Sequence, residues 1–305
     1  MEKILVFGHK SPDTDSICSS IVMADLQSKL RGEEVIPCRL GELNEETKYV
    51  LNYFEVETPQ LIEKVEEGQT VILVDHNEFT QTVEGIENAK IDSVVDHHRI
   101  NNFQTSEPLF YYAQPVGCTS TLLFELYKLN NIEIEPKIAV VMLSAIVSDT
   151  LLLKSPTTTI KDKNAVAELV EIAKLDLDKY GLDMLKAGTD LDKYLEEELI
   201  ALDAKKIEKE DIKYVIAQVN TVSIPDVLKR KAKLEQVINK EIISKDLSLF
   251  VFVITDIVNS NSEAIVLGNR TDAISKTYEI NDNIAVMPGV VSRKKQVLPL
   301  VEKNM

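Results

Sequence analysis

The chain has 305 residues, 44% hydrophobic and 28% charged, with a formal net charge of −16. That length exceeds what one hydrophobic core usually serves, so two domains are expected. The acidic balance excludes the broad positive footprint that nucleic acid or an anionic membrane requires, yet leaves room for a small anion where local cations reverse the field.

"KILVFG" (3–8) reads as the first strand, buried on both faces. His9 follows it, then Pro12, and a helical pattern runs over Ile17–Leu30. Asp13 and Asp15 fall in the loop and first turn, where a helix N-cap and a metal ligand are competing readings. A second helix is expected over Glu45–Phe54. "TVILVD" (70–75) and "DSVVDH" (92–97) are further buried strands, ending in Asp75-His76 and in Asp96-His97-His98. Helices follow over Gly117–Asn130 and Pro136–Asp149. This alternation predicts an α/β domain with a mostly parallel sheet flanked by helices.

A charged stretch near Gly188 marks a boundary, dividing the chain into 1–188, a linker 189–194, and 195–305. The second part, a smaller α/β domain with a mixed sheet, has strands at 214–220, 247–257 and 263–269 and a charged helix over Ile224–Ile242. It contains no histidine. The "KRKAK" run (229–233) reads as a solvated helix face, whereas "SRKKQ" places Arg293, Lys294 and Lys295 between apolar strands. Such cations suit phosphate oxygens. Facing the first domain, they would make an interdomain phosphate cleft.

Cys18, Cys38 and Cys118 are far apart and form no CxxC pair, so neither a disulfide framework nor a structural zinc is expected. With no signal-like or membrane-length apolar run, a cytoplasmic location is expected.

All four histidines end apolar runs, and ligands of an open parallel sheet bind at that strand edge. His9, His97, Asp13, Asp15, Asp75 and Asp149 could therefore gather at one edge. So many carboxylates would repel one another unless two divalent cations neutralised them, and His/Asp ligation without cysteine suits Mn²⁺, Co²⁺, Fe²⁺ or Mg²⁺. Asp75, ending the apparent middle strand, is the expected bridge in a two-metal site for attack on phosphorus. His76 is expected behind a carboxylate ligand, orienting it, and Asp96 in a similar supporting place. Neighbouring side chains on a strand diverge, so His97 and His98 are not expected to share one job.

"GHKSPDTDS", "VILVDHNE", "SVVDHHRI", "LSAIVSDT" and "GVVSRKKQ", in this order, resemble the DHH phosphoesterase superfamily, and with the C-terminal motif a family II, manganese-dependent inorganic pyrophosphatase. The resemblance covers essentially the whole chain, with a DHHA2-type second domain. It implies one metal held by His9, Asp13 and Asp75, and another by Asp15, Asp75, His97 and Asp149. It also implies that His98 contacts substrate and protonates the leaving phosphate, while Lys205, Arg293 and Lys294 bind phosphate. The implied cofactors are two Mn²⁺ per subunit, with Co²⁺ or Mg²⁺ as substitutes, and Mg²⁺ accompanying pyrophosphate. A homodimer is implied too, while the acidic balance leads us to expect no nucleic-acid or membrane partner. Another DHH phosphoesterase, acting on oligonucleotides, nucleotide phosphates or polyphosphate, is the alternative.

Overall fold

Apolar runs without a helical period become strands here, and their direction decides where the histidines emerge. The computed structural model describes residues 3–209 and 212–305. Contacts divide the chain into two units, Met1–Gly188 and Thr189–Met305. Among the described residues, no helix is long and apolar enough to cross a membrane.

In the first unit the chain runs through β1 (Ile4–Phe7), α1 (Thr14–Arg31), β2 (Val35–Arg39), α2 (Glu45–Tyr53), β3 (Gln60–Leu61), β4 (Thr70–Val74), β5 (Lys90–Asp96) and β6 (Phe110–Ala113). Four helices complete it: α3 (Thr119–Leu129), α4 (Pro136–Thr150), α5 (Ile160–Ala173) and α6 (Leu177–Gly188). The sheet order is β3-β2-β1-β4-β5-β6, and every pairing is parallel. All strands therefore end at the same edge. Because β1, β4 and β5 are adjacent, the residues that follow them emerge side by side, about 4.8 Å apart per strand.

One face of this sheet buries Phe7, Leu73 and Val94 against Val65, Val83 and Ile86. On the other side α1 packs against β1, β2, α3 and α4. Its Ser16, Ser19, Ser20, Ala24 and Cys18 are buried along with Ile17, Val22 and Met23, and such small residues let neighbouring backbones approach closely. Gly32 ends α1 with φ 68°, in the left-handed region that glycine adopts without strain.

The second unit comprises α7 (Glu196–Leu199), β7 (Ala204–Lys209), β8 (Ile212–Thr221), α8 (Ile224–Leu228), α9 (Lys231–Lys245), β9 (Leu249–Asp256), β10 (Asn261–Gly268), α10 (Asp272–Ser275), β11 (Ile280–Asn281), β12 (Ile284–Met287) and α11 (Leu298–Asn304). Its sheet order is β11-β12-β10-β9-β8-β7; β8 and β9 are parallel and the other pairings antiparallel. Separate apolar clusters cover the two faces, which explains why β9 reads as an unbroken apolar run. Leu191 and Tyr194, from the expected linker, pack on one of these clusters.

Three expectations fail in this unit. The helix predicted over Ile224–Ile242 breaks after Leu228 and restarts at Lys231. Arg230 sits at the break, with its guanidinium donating to the Leu191 and Tyr194 carbonyls and to Glu196. "KRKAK" is thus not merely a solvated face. The cations of "SRKKQ" do not interrupt two strands either: Arg293–Val297 form one wide π-helical turn, and "VLPLV" continues as α11, with its proline in the first turn where no amide donor is needed.

Candidate metal centre

His9 follows β1 after a single glycine. A Cβ on Gly8 would lie 1.9 Å from Ser16 Oγ and 2.9 Å from Ser16 Cα, so only glycine lets α1 start this close to the strand end. The His9 Nδ1–H donates to the Lys10 carbonyl at 2.8 Å. Because a carbonyl only accepts, Nδ1 carries the proton and Nε2 is left as a donor of electrons. It lies 3.5 Å from Asp13 Oδ2 and 3.5 Å from Asp75 Oδ2.

Asp13 caps α1, its Oδ1 accepting the Ser16 N–H at 3.0 Å. One oxygen caps the helix while the other faces His9, so the two readings of this residue are compatible. Asp15, fully buried, accepts Ser19 Oγ–H at 2.6 Å on Oδ1 and the Thr119 N–H at 2.7 Å on Oδ2.

Asp75 follows β4 with φ 58°, a left-handed conformation that aspartate tolerates better than most residues. Its Oδ1 accepts Thr119 Oγ1–H at 3.1 Å and lies 3.3 Å from His97 Nε2. The His97 Nδ1–H donates to the Val116 carbonyl at 3.0 Å. That bond fixes the tautomer and aims Nε2 also at Asp149 Oδ2 (3.6 Å) and Asp15 Oδ2 (4.0 Å). Asp149 comes from the last turn of α4, where the helix dipole itself calls for positive charge.

Two groups of atoms result, each compact enough to surround one ion: His9, Asp13 and Asp75, and Asp15, Asp75, His97 and Asp149. Asp75 belongs to both. A third grouping joins Asp75 and His97 to His98.

Without cations the charges are poorly matched. Burial, reinforced by the charge of Asp75, pushes Asp15 up to about 7. Burial and the charges of Asp15 and Asp75 push Asp149 well above the usual carboxylate range. Burial opposes ionisation of Asp75, but His9 and His97 hold it below that range. Burial would also lower both histidines, yet Asp13 and Asp75 push His9 up to about 11, and Asp75 with Asp15 pushes His97 up to about 9. Asp75 Oδ2 and His97 Nε2 are buried without a hydrogen-bond partner, and buried polar atoms are rarely left so. Carboxylates and imidazoles with free, converging lone pairs fit divalent cations of the Mn²⁺, Co²⁺ or Mg²⁺ kind.

His98 lies beside this cluster. The strand ends at Asp96, so strand alternation no longer applies, and the two imidazoles do not diverge to opposite faces: their centroids are 4.2 Å apart. Asp96 Oδ1 accepts both the backbone N–H and the Nδ1–H of His98 at 3.0 Å, and Asn77 Nδ2–H donates to Oδ2 at 2.6 Å. Asp96 thus orients His98. Its hydrogen bond, working against burial, raises the His98 pKa. His76 departs from expectation. It orients no carboxylate: Nδ1 pairs with the Val74 carbonyl at 2.9 Å, and Nε2 is buried without a partner.

In the second unit, Lys205 lies on β7 opposite Ile216, exposed, as is Lys294. Arg293 is held by Asp203, with Nη2 2.8 Å from Oδ1 and Nε 3.3 Å from Oδ2.

The DHH family N-terminal domain matches residues 3–146 and the DHHA2 domain residues 182–304. Over 308 aligned residues the chain is 54% identical to the manganese-dependent inorganic pyrophosphatase of Bacillus subtilis, covering 100% of this chain and 99% of that one. The chain belongs to the manganese-dependent inorganic pyrophosphatase family. A Methanococcus jannaschii structure described as a candidate family II inorganic pyrophosphatase superposes with a TM-score of 0.63 at 39% identity, covering 99% of each chain.

In this pyrophosphatase-family chain, sequence reasoning missed the segment that sets the cluster's geometry. The segment 116–119 touches His97 through the Val116 carbonyl, and Asp15 and Asp75 through Thr119. It is anchored by Asp162, fully buried, which accepts the Gly117 N–H, Thr121 Oγ1–H at 2.6 Å, and the Thr159 N–H and Oγ1–H at 2.7 Å each. Gly117 has no room for a side chain, since a Cβ would meet Thr150 Cγ2 at 2.7 Å and Asp162 Oδ2 at 2.9 Å.

Proposed function

We propose that the protein hydrolyses inorganic pyrophosphate to two phosphates with two Mn²⁺ per subunit, Co²⁺ or Mg²⁺ serving as substitutes and Mg²⁺ accompanying the substrate. The observation that carries this reading is Asp75, a buried carboxylate shared by two ion-sized groups of ligand atoms. One ion is assigned to His9, Asp13 and Asp75, the other to Asp15, Asp75, His97 and Asp149.

Bound divalent cations supply a water activated near neutral pH and a positive field for phosphoryl oxygens. The remaining roles belong to the chain. Asp75 holds its charge where both groups need it, while Thr119 and Ser19 keep the carboxylates from rotating. Asp96 fixes one His98 proton on Nδ1, so the exchangeable proton sits on Nε2. We assign His98 to substrate contact and to protonation of the leaving phosphate, a contribution of about 10²–10⁴-fold. Lys205, Arg293 and Lys294 are assigned to the phosphate oxygens, where guanidinium and ammonium groups stabilise developing charge. The domain 1–188 is then catalytic, and 195–305 binds phosphate.

A cytoplasmic homodimer that engages neither nucleic acid nor membrane is part of this proposal; the net charge of −16 supports its last element. The test is phosphate release from pyrophosphate with Mn²⁺, Co²⁺ or Mg²⁺, beside single-stranded oligonucleotide and polyphosphate controls. Fast Mn²⁺-dependent release from pyrophosphate is expected. Faster cleavage of the oligonucleotide would overturn the assignment.

A further inference from the structure

The glutamine of "SRKKQ" has no part in the phosphate reading, and a second glutamine, on the sheet, holds the same turn. Gln296 closes the turn before Arg293: its Oε1 accepts the Val291 and Ser292 N–H groups at 2.9 and 3.0 Å, and its Nε2–H donates to the Gly289 carbonyl at 2.9 Å. The same turn is gripped from the sheet by Gln218 on β8. Its Oε1 accepts the Arg293 N–H at 2.8 Å, and its Nε2–H donates to the Val291 carbonyl at 3.1 Å and to Thr255 Oγ1 at 2.8 Å.

Thr255 on β9 continues the row to Ser262 on β10, with 2.8 Å between hydroxyl oxygens, and Ser262 Oγ–H donates to the Val290 carbonyl at 2.7 Å. Thr255 and Ser262 are buried, Thr255 after the apolar run 249–254 of β9 and Ser262 just before the apolar run 264–267 of β10. Burying polar groups beside apolar strand residues costs free energy unless they are satisfied, and among the described residues the side-chain hydrogen bonds that leave this row all reach residues 290–293. Gln218 also donates its backbone N–H to the Asp203 carbonyl at 3.1 Å, and Asp203 holds the Arg293 guanidinium. One residue therefore grips Arg293 at its backbone and supports the residue that grips its head. Asp203 engages only Nε and Nη2, leaving Nη1 for another oxygen.

We propose that Gln218, Thr255 and Ser262 form a positioning row that fixes the aim of Arg293 at a phosphate group, with Gln218 as its central member. This rests on the reading of Arg293 as a phosphate-binding residue. Gln218 is neutral, so its removal alters aim without altering charge.

The full-length, Mn²⁺-loaded protein is compared with Gln218→Leu, Thr255→Val and Arg293→Ala. Four measurements are made: pyrophosphate KM and kcat, orthophosphate binding by calorimetry, Mn²⁺ affinity, and melting temperature. Gln218→Leu should raise KM and weaken orthophosphate about tenfold, equivalent to about 1.4 kcal/mol, with KM changing more than kcat and Mn²⁺ affinity unmoved. Thr255→Val, which removes the far end of the row, should act in the same direction by a smaller factor. A lower melting temperature with KM and orthophosphate binding unchanged in both row variants would make the row purely structural and overturn the inference, while a disturbed Arg293→Ala left the phosphate reading standing. If Arg293→Ala itself leaves KM and orthophosphate binding unchanged, the underlying reading fails and takes this inference with it.

Discussion

Replacing Thr119 by valine removes one hydroxyl and almost no volume, at a fully buried position that touches the shared carboxylate. The lost bond, 3.1 Å from Thr119 Oγ1 to Asp75 Oδ1, is a hydrogen bond to an ionised acceptor, worth about 1.5–3 kcal/mol. Asp75 keeps His9 and His97 near its two oxygens, so the carboxylate remains present but loses the donor that fixes its rotation. The Thr119 N–H to Asp15 is unaffected by the substitution, so the loss is confined to Asp75. At about 1.4 kcal/mol per tenfold, Mn²⁺ affinity should fall about ten- to a hundredfold, the range found for groups that orient metal ligands. Calorimetric titration of the metal-free protein with Mn²⁺ measures this directly, and pyrophosphate turnover at limiting Mn²⁺ should fall in parallel. Unchanged Mn²⁺ affinity in a folded Thr119→Val protein would refute the reasoning.

His98→Gln should reduce pyrophosphate turnover about 10²–10⁴-fold while leaving Mn²⁺ affinity within a few-fold, because Asp96 holds the ring at 3.0 Å whereas the shared carboxylate lies farther off, 3.6 Å from Nδ1; near-normal turnover removes it from the chemistry. Mn²⁺ binding should release protons and strengthen as pH rises. His9 and His97 are held up at about 11 and about 9 and Asp15 at about 7, so near neutrality these groups hold protons that a cation must displace. Calorimetry in buffers of different ionisation enthalpy reads the release, and a heat independent of buffer would contradict it. Asp162→Ala strands several buried donors, at about 1–3 kcal/mol each, and should lower unfolding free energy by about 3 kcal/mol or more in a denaturant titration.

The strand ends were legible in the sequence because both partners of each inference lie within a few residues: an apolar run, then a histidine or aspartate. His9, Asp75 and His97 follow from that pattern once the strands are parallel. Asp13 and Asp15 follow from the helix start. Thr119 and Asp162 carry no such local mark. Thr119 meets Asp15 across 104 residues, and a buried threonine or aspartate looks like any other until the fold brings its partners. The divergence expected of the His97 and His98 side chains fails for a local reason: strand alternation stops at Asp96, the last residue of β5. "VLPLV" was misread because a short apolar run lacks the length to display a period. Gln218 was invisible for the opposite reason: it is one polar residue in a strand whose partners lie 75 residues downstream.

The cluster draws its ligand atoms from residues near positions 9–15, 75, 97 and 149, delivered by β1, α1, β4, β5 and α4. No shorter part of the chain contains a complete set. During synthesis, both groups of ligand atoms could be filled only after α4 had emerged and docked, whatever the state of the second unit's separate core. Metal loading would then report that the first unit is assembled through α4, and ions binding only that state would penalise every form short of it by mass action.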